Sequence, residues 1–239
     1  MNGKTKRKTT INTDSAGKEL SGRLIDLIVR AILLTLFCSS CHRPMVPGSP
    51  GLSEKRLEDR YNDSLIIQAS WLVRDGDLVM RTGNDFISLT LRQFSLQDKT
   101  YSHSGLVQID GGRIRVFNAI GGEDNPNQTL RRDSFGYFCD PAYNFGFAVY
   151  RYNLNRVQLK RLDSIENRYY DERVKFNMSF DLKTDNRLYC TEFVYKSLLK
   201  ATGDSGYIPL THINHMTYVA PDNLYLNPHA HLIYRAVFH

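Results

Sequence analysis

A chain of 239 residues, 41% hydrophobic and 23% charged, can bury one sizeable core, and this composition excludes disorder along its whole length. The formal charge of +6 is unevenly placed: residues 1–40 hold seven Lys or Arg against three Asp or Glu, a net +4, which leaves +2 for everything after them. A nearly neutral body behind a basic leader lacks the cationic surface that neutralises a phosphate backbone, so nucleic acid is excluded as a partner.

The leader begins MNGKTKRK and runs into LIDLIVRAILLTLFCSSC, ending at Cys41. A basic start, an apolar segment and small residues before a cysteine form a secretory pattern. The run 31–37 is too short to span a bilayer, and Arg30 interrupts the longer stretch. LFCSSC resembles a bacterial lipoprotein box, with Cys38 standing where Leu is usual. Residues 1–41 are therefore read as a lipoprotein-type signal segment, with Cys41 lipidated as the first mature residue; an ordinary cleaved signal and an anchor helix are the alternatives. Residues 42–52, rich in Pro and Gly, read as a flexible tether. Residues 53–239 read as the folded domain, held to the membrane of a bacterial cell envelope by the N-terminal lipid.

Along that domain, residues 53–73 read as a helix and GDLVMR (76–81) as a strand opened by a turn. Asp85 caps a short helix through Phe86, Leu89 and Phe94. SHSGLVQI (102–109) and GRIRVFNAI (112–120) form a hairpin about Ile109-Asp110-Gly111-Gly112. Asp-Gly favours a type I′ turn centred on Asp110 and Gly111, which sets Val107 opposite Ile114 and His103 opposite Asn118. Directly opposed side chains are close enough for an imidazole–carboxamide hydrogen bond. A turn centred on Gly111 and Gly112 would instead set His103 opposite Ile120 and split the pair. One hairpin face carries Val107, Ile109, Ile114 and Val116. The other carries Ser104, Gln108, Arg113 and Arg115, as a solvated side would, with Leu106 and Phe117 giving partial cover. On the hairpin alone, His103 and Asn118 read as a satisfied contact at the rim.

Residues 121–144 read as loop, FGFAVYRY (145–152) as a strand, and 155–170 as a helix. LYCTEFVYKSLLKATG (188–203) is a helix closed by Gly203, and HLIYRAVF (231–238) is a last strand. Helices and strands in that order give an α+β fold.

Cys190 falls in the first turn of the 188–203 helix, where unpaired amide N–H groups and the positive end of the macrodipole favour a thiolate. The alternative is a small buried apolar residue. Cys139, in a loop, lacks these features and reads as structural, with a Cys139–Cys190 disulfide as the weaker reading. Cys190, His103 and Asn118 have the residue types of a hydrolase triad: a sulfur nucleophile, an imidazole that carries its proton, and a carboxamide that orients the ring. The N–H of Cys190 would contribute to an oxyanion hole.

GDLV (76–79), YSHSGLVQIDGGRIRVFNA (101–119) and LYCTEFVYKSL (188–198) resemble, in that order, the motifs of the YiiX/YebB-like group of circularly permuted NlpC-type papain-like cysteine hydrolases. Unpermuted members place the cysteine helix before the strands; here it follows them, and Thr191 stands where the group's motif has Ser. The resemblance covers roughly residues 70–200. It implies an antiparallel sheet or barrel packed against the cysteine helix, with Cys190 as nucleophile, His103 as base and Asn118 as the third polar residue. Asp77 and Glu192 also match family positions, and both read as structural: Asp77 fixes the start of its strand and Glu192 the start of its helix.

Tyr189 is expected to pack or to line a substrate pocket, and Tyr207, with the 205–225 segment, to roof the site. His212 with His215 and His229 with His231 lack companions at metal-ligand spacing, so no metal and no cofactor is expected. The expected activity is hydrolysis of an amide in a small peptide, such as a cell-wall peptide, or in an aminoacyl compound. A thiol acyltransferase or lipid hydrolase is the second reading, and a binding module without turnover is the third.

Overall fold

Two glycines set the register of the central hairpin. Gly111 and Gly112 have φ of +54° and +78°. They, rather than Asp110 and Gly111, occupy the two central positions of a turn that needs positive φ at both. In this computed structural model, which describes residues 52–121, 125 and 127–239, β2 (His103–Asp110) and β3 (Arg113–Asn118) pair with Asp110 opposite Arg113 and Val107 opposite Val116. The expected register was wrong by two residues. A slip of two leaves each side chain on its expected face, because strand side chains alternate with a period of two. The leader, Cys41 and the tether before Leu52 lie outside the described residues.

β1 (Leu78–Gly83) pairs with β2 on one side and β5 (Asn144–Tyr152) on the other. β4 (Arg131–Ser134) and β8 (Ala230–Val237) complete a six-stranded sheet of order β4-β3-β2-β1-β5-β8 with antiparallel neighbours throughout. Residues 121–144 are thus not all loop: β4 and a short helix, α3 (Phe135–Phe138), lie within them. Arg-Arg-Asp-Ser carries no apolar alternation, as suits a short edge strand.

Both faces of the sheet are covered. Leu78, Met80, Leu106 and Phe117 pack into one core with Leu162 and Tyr169 of α4 (Arg156–Asp171) and Phe193 and Leu198 of α5 (Cys190–Thr202). Val79, Val107, Val116, Phe147 and Val149 form the other, with Ala69 of α1 (Leu52–Leu72) and Phe135 and Phe138 of α3. The expected solvated face of the hairpin is solvated only towards the turn, at Gln108, Arg113 and Arg115; towards the open end Ser104, Leu106 and Phe117 are fully buried in the larger core. With both faces of the central strands covered, those strands meet solvent at their ends, while the edge strands β4 and β8 stay partly exposed.

Local contacts fix the elements around one such end. Asp85 accepts the Ser88 N–H and caps α2 (Phe86–Leu91). Asp77, wholly buried, accepts the Arg74 N–H and pairs with Arg151 at 2.7 Å, which anchors the start of β1. A short hairpin, β6 (Thr211–Ile213) and β7 (Met216–Tyr218), follows α5. Among the described residues no helix is long and apolar enough to cross a membrane.

Continuing the β2–β3 ladder by one residue sets Gly105 beside Asn118, and a Cβ on Gly105 would lie 2.5 Å from Val116 Cγ1 and 3.2 Å from Asn118 Cβ. Gly105→Ala should therefore lower stability by about 1–3 kcal/mol through overpacking, read from the urea midpoint. An unchanged midpoint would mean that the strands are not this close.

Candidate active site

Cys190 is the first residue of α5 and is 8% exposed. Its place at the helix start is fixed by Glu192, which accepts the Tyr189 N–H at 3.1 Å and the Asn177 amide at 3.0 Å and pairs with Lys196 at 2.9 Å. The Tyr189 hydroxyl accepts the Val219 N–H at 2.9 Å, which ties the segment after β7 to the start of the helix. Burial pushes the Cys190 thiol upward, against the backbone N–H groups of Thr191 and Ser104 and the Ser104 hydroxyl, which act the other way. That hydroxyl has no ordinary hydrogen-bond partner of its own. The thiolate expected from the helix terminus is therefore not the resting form: desolvation is the larger effect.

His103 opens β2 and Asn118 closes β3. In the observed register they are diagonal neighbours, not opposed, yet His103 Nε2 lies 3.1 Å from Asn118 Oδ1. The expected pair survives the failure of the expected register because a diagonal contact is within reach of longer side chains where the intervening residue is glycine. The amide orientation follows from its other contacts. Asn118 Nδ2 donates to Asp133 Oδ2 at 3.0 Å and to the Val116 carbonyl at 3.3 Å, both acceptors, so Oδ1 faces the ring. Nε2 then carries the imidazole proton, and Nδ1 keeps the free lone pair. Asp133 is in turn held by Arg131 at 2.7 Å. Asp133 had no motif to reveal it; it is placed by β4, which pairs Val116 with Asp133.

The ring of His103 stacks on Phe138 with centroids 5.5 Å apart. Burial first, and then the neighbouring Arg81 guanidinium, pull its pKa down from 6.5 to about 3, against the raising effect of the Asn118 hydrogen bond. The resting pair is a neutral thiol and a neutral imidazole.

Cys190 and His103 border one cavity of about 260 Å³. Its walls are mostly apolar, with Ile87 and Leu91 of α2, Phe94, Phe176, Phe180 and Met216 prominent, and Tyr189 also lines it. Asn118 lies behind, bordering a second, more polar cavity of about 230 Å³. Tyr207 is placed elsewhere: it stacks on His229 at 4.2 Å and packs near Tyr152, so the roof is formed by Tyr218 and Val219 instead. Cys139 is fully buried in the core beneath α3, and both cysteines are free. His212 bonds to Thr217 and His231 to Asn153. Among the described residues no group of three or more His, Cys, Asp or Glu is placed to hold a metal ion.

No family model and no curated protein matches the chain. Among solved structures, yiiX from Escherichia coli O157:H7, described as a metalloprotein and as DUF1105, superposes with a TM-score of 0.58 at 18% identity, over 70% of this chain and 99% of that one. The fold is YiiX-like. At that identity the likeness speaks for the fold, and the residues of the YiiX-like domain must carry any argument about chemistry.

Two outcomes follow from the burial of this pair. Iodoacetamide should label Cys190, at the cavity wall, and spare Cys139, with a rate that climbs about tenfold per pH unit from pH 7 to 9 because the thiolate is a minor form; a rate already flat at neutral pH would contradict the raised thiol. His103 has a folded-state pKa near 3, below its unfolded value near 6.5, so the unfolded chain binds the extra proton in that window. Stability should fall as pH drops from about 6.5 towards 3, and His103→Gln should flatten that part of the urea-midpoint profile.

Proposed function

We propose that the YiiX-like domain is a cysteine-dependent acyl hydrolase with a circularly permuted papain-like core. Cys190 is its nucleophile, His103 its base and Asn118 the group that holds the ring. The observation that carries this reading is the free Nδ1 of His103: Asn118 occupies Nε2, and the remaining lone pair belongs to a ring that shares a cavity wall with the Cys190 sulfur.

The chemistry is general-base catalysis from neutral partners. As sulfur attacks the substrate carbonyl, the thiol proton passes to Nδ1 and the oxyanion forms near the helix start. There the Cys190 N–H, as a first-turn amide, has no intrahelical acceptor. Collapse of the tetrahedral species breaks the carbonyl–leaving-group bond, and the leaving amine or alcohol takes the proton from Nδ1. Water then attacks the thioester and gives a proton to Nδ1; the acid leaves, and sulfur recovers the proton. Asn118 keeps Nε2 engaged throughout.

The walls favour an apolar acyl group. Ile87, Leu91, Phe94, Phe176, Phe180 and Met216 offer a peptide backbone few hydrogen-bond partners, whereas an alkyl or aromatic acyl chain gains from burial there. This supports a lipid-like amide or ester ahead of a cell-wall peptide. Lipid anchoring through Cys41 in a bacterial cell envelope accords with such a substrate. Transfer of the acyl group to an acceptor other than water is the second reading, favoured by the same apolar walls, which restrict water.

The test is a series of p-nitrophenyl esters from acetate to dodecanoate. The rate should rise with chain length, and Cys190→Ala should lower kcat by about 10³-fold or more. Asn118→Ala should lower kcat on the order of tenfold or more, with the alkylation of Cys190 preserved. Mass spectrometry of quenched wild type should show an acyl adduct on Cys190. Turnover that persists in Cys190→Ala would overturn the reading.

A further inference from the structure

Arg81 stands directly opposite His103 in the β1–β2 ladder and borders both cavities, the apolar one at Cys190 and the polar one behind Asn118. Its guanidinium donates Nη1 to Asn144 Oδ1 at 3.1 Å and lies over the Phe138 ring, 5.0 Å from the centroid. Its Nε is buried without a hydrogen-bond partner, and among the described residues no carboxylate comes within ion-pair distance of it. The nearby acids are committed elsewhere: Asp85 caps α2 through the Ser88 N–H and hydroxyl, and Asp133 is shared between Arg131 and Asn118. Asp85 and Asp133 lie near enough to offset part of its charge, but a largely desolvated guanidinium with no ion-pair partner and an unbonded Nε is still expensive to keep.

Resting on the hydrolase reading, we propose that Arg81 is the anion subsite for the leaving group, so that the substrate is an acyl amide or ester whose departing half carries a carboxylate or a phosphate close to the scissile bond. The acyl chain fills the apolar cavity at Cys190, and the leaving group takes its proton from His103 Nδ1 on the wall that Arg81 shares. Arg81 also borders the polar cavity behind Asn118, where Asn84, Arg131, Tyr137 and Tyr143 supply hydrogen-bonding partners and the carboxylates of Asp85 and Asp133 stand on the same wall. An N-acyl amino acid meets this pattern with its carboxylate, and a lysophospholipid meets it with its phosphate.

The anion would also change the base. The Arg81 charge, only partly offset by Asp85, disfavours the imidazolium that forms when His103 takes the thiol proton. An anion bound to Arg81 offsets that charge, so the correct substrate makes its own base stronger.

The experiment compares charged and neutral twins: N-dodecanoylglycine with its glycinamide analogue, and 1-dodecanoylglycerol-3-phosphate with 1-dodecanoylglycerol. In wild type, kcat/KM for the anionic member of at least one pair should exceed that for its neutral twin by about tenfold or more, and the pair that shows the ratio tells carboxylate from phosphate. Arg81→Gln should bring that ratio towards one, and Arg81→Lys should restore part of it. Calorimetric binding to Cys190→Ala, which needs no turnover, should show the same preference. Equal binding and equal turnover of both twins would overturn the subsite, as would an unchanged ratio in Arg81→Gln. Charge-selective binding with no Cys190-dependent turnover would support the subsite while overturning the hydrolase reading, so the two fail separately.

Discussion

The contact between His103 and Asn118 rests on a side chain that is missing. Gly105 lies between them in the ladder, and a Cβ there would press on Val116 and Asn118. Glycine lets β3 approach closely enough for Asn118 to reach diagonally to the ring of His103. The rest of the site is built outward from that contact. Asp133 and the Val116 carbonyl fix the amide, the amide fixes the tautomer, and the tautomer leaves Nδ1 able to accept a proton. Remove the close approach and each later step loses its geometry.

Magnitudes decide the protonation state of the pair. A helix terminus contributes roughly 0.3–1 kcal/mol to an adjacent charge, about 2 in favourable partly buried cases. Full burial shifts a group by up to about 3–5 pKa units, several kcal/mol. Cys190 and His103 are both almost wholly buried, so desolvation outweighs the dipole and both stay neutral. The helix terminus alone favours a thiolate, and the burial that outweighs it comes from contacts distant in the chain. In the proposed mechanism a neutral pair would work through the free Nδ1 as proton acceptor, and it would give up the reactivity of a preformed thiolate.

How legible the molecule was depended on whether a feature was local. The long helices, the strands flanking the Asp-Gly-Gly turn, the Asp85 cap and the Gly203 stop all follow from residues a few positions apart, and they were readable. Cys190 at a helix start and His103 at a strand start were readable for the same reason. The turn centre was misread because Asp110 and Gly111 satisfy the same local rule as Gly111 and Gly112, and only long-range pairing distinguishes them. β4 escaped notice because an edge strand of Arg-Arg-Asp-Ser has no apolar alternation. Asp133 went with it. Tyr207 was placed over the site by its position after the cysteine helix, but its ring finds His229 and Tyr152, and sequence proximity says nothing about such partners. The double burial of the sheet was hidden because Ser104, Gln108 and Arg115 share a face with Leu106 and Phe117.

Closing both sheet faces forces function to the strand ends, and that accounts for the mixture of groups found there. Asp77 has Arg151 and Glu192 has Lys196, whereas Glu166, wholly buried, has a partner on neither carboxylate oxygen. Arg81 is the group without an ion-pair partner that borders the cavities at the strand ends. A polar atom retained without a partner costs stability. In the proposed subsite a ligand of opposite charge would recover that cost, and the deficit would become selectivity. The same guanidinium lowers the pKa of His103. Affinity for the correct substrate and activation of the base would then draw on one unbalanced charge, placed by the β1–β2 ladder directly across from the ring it controls.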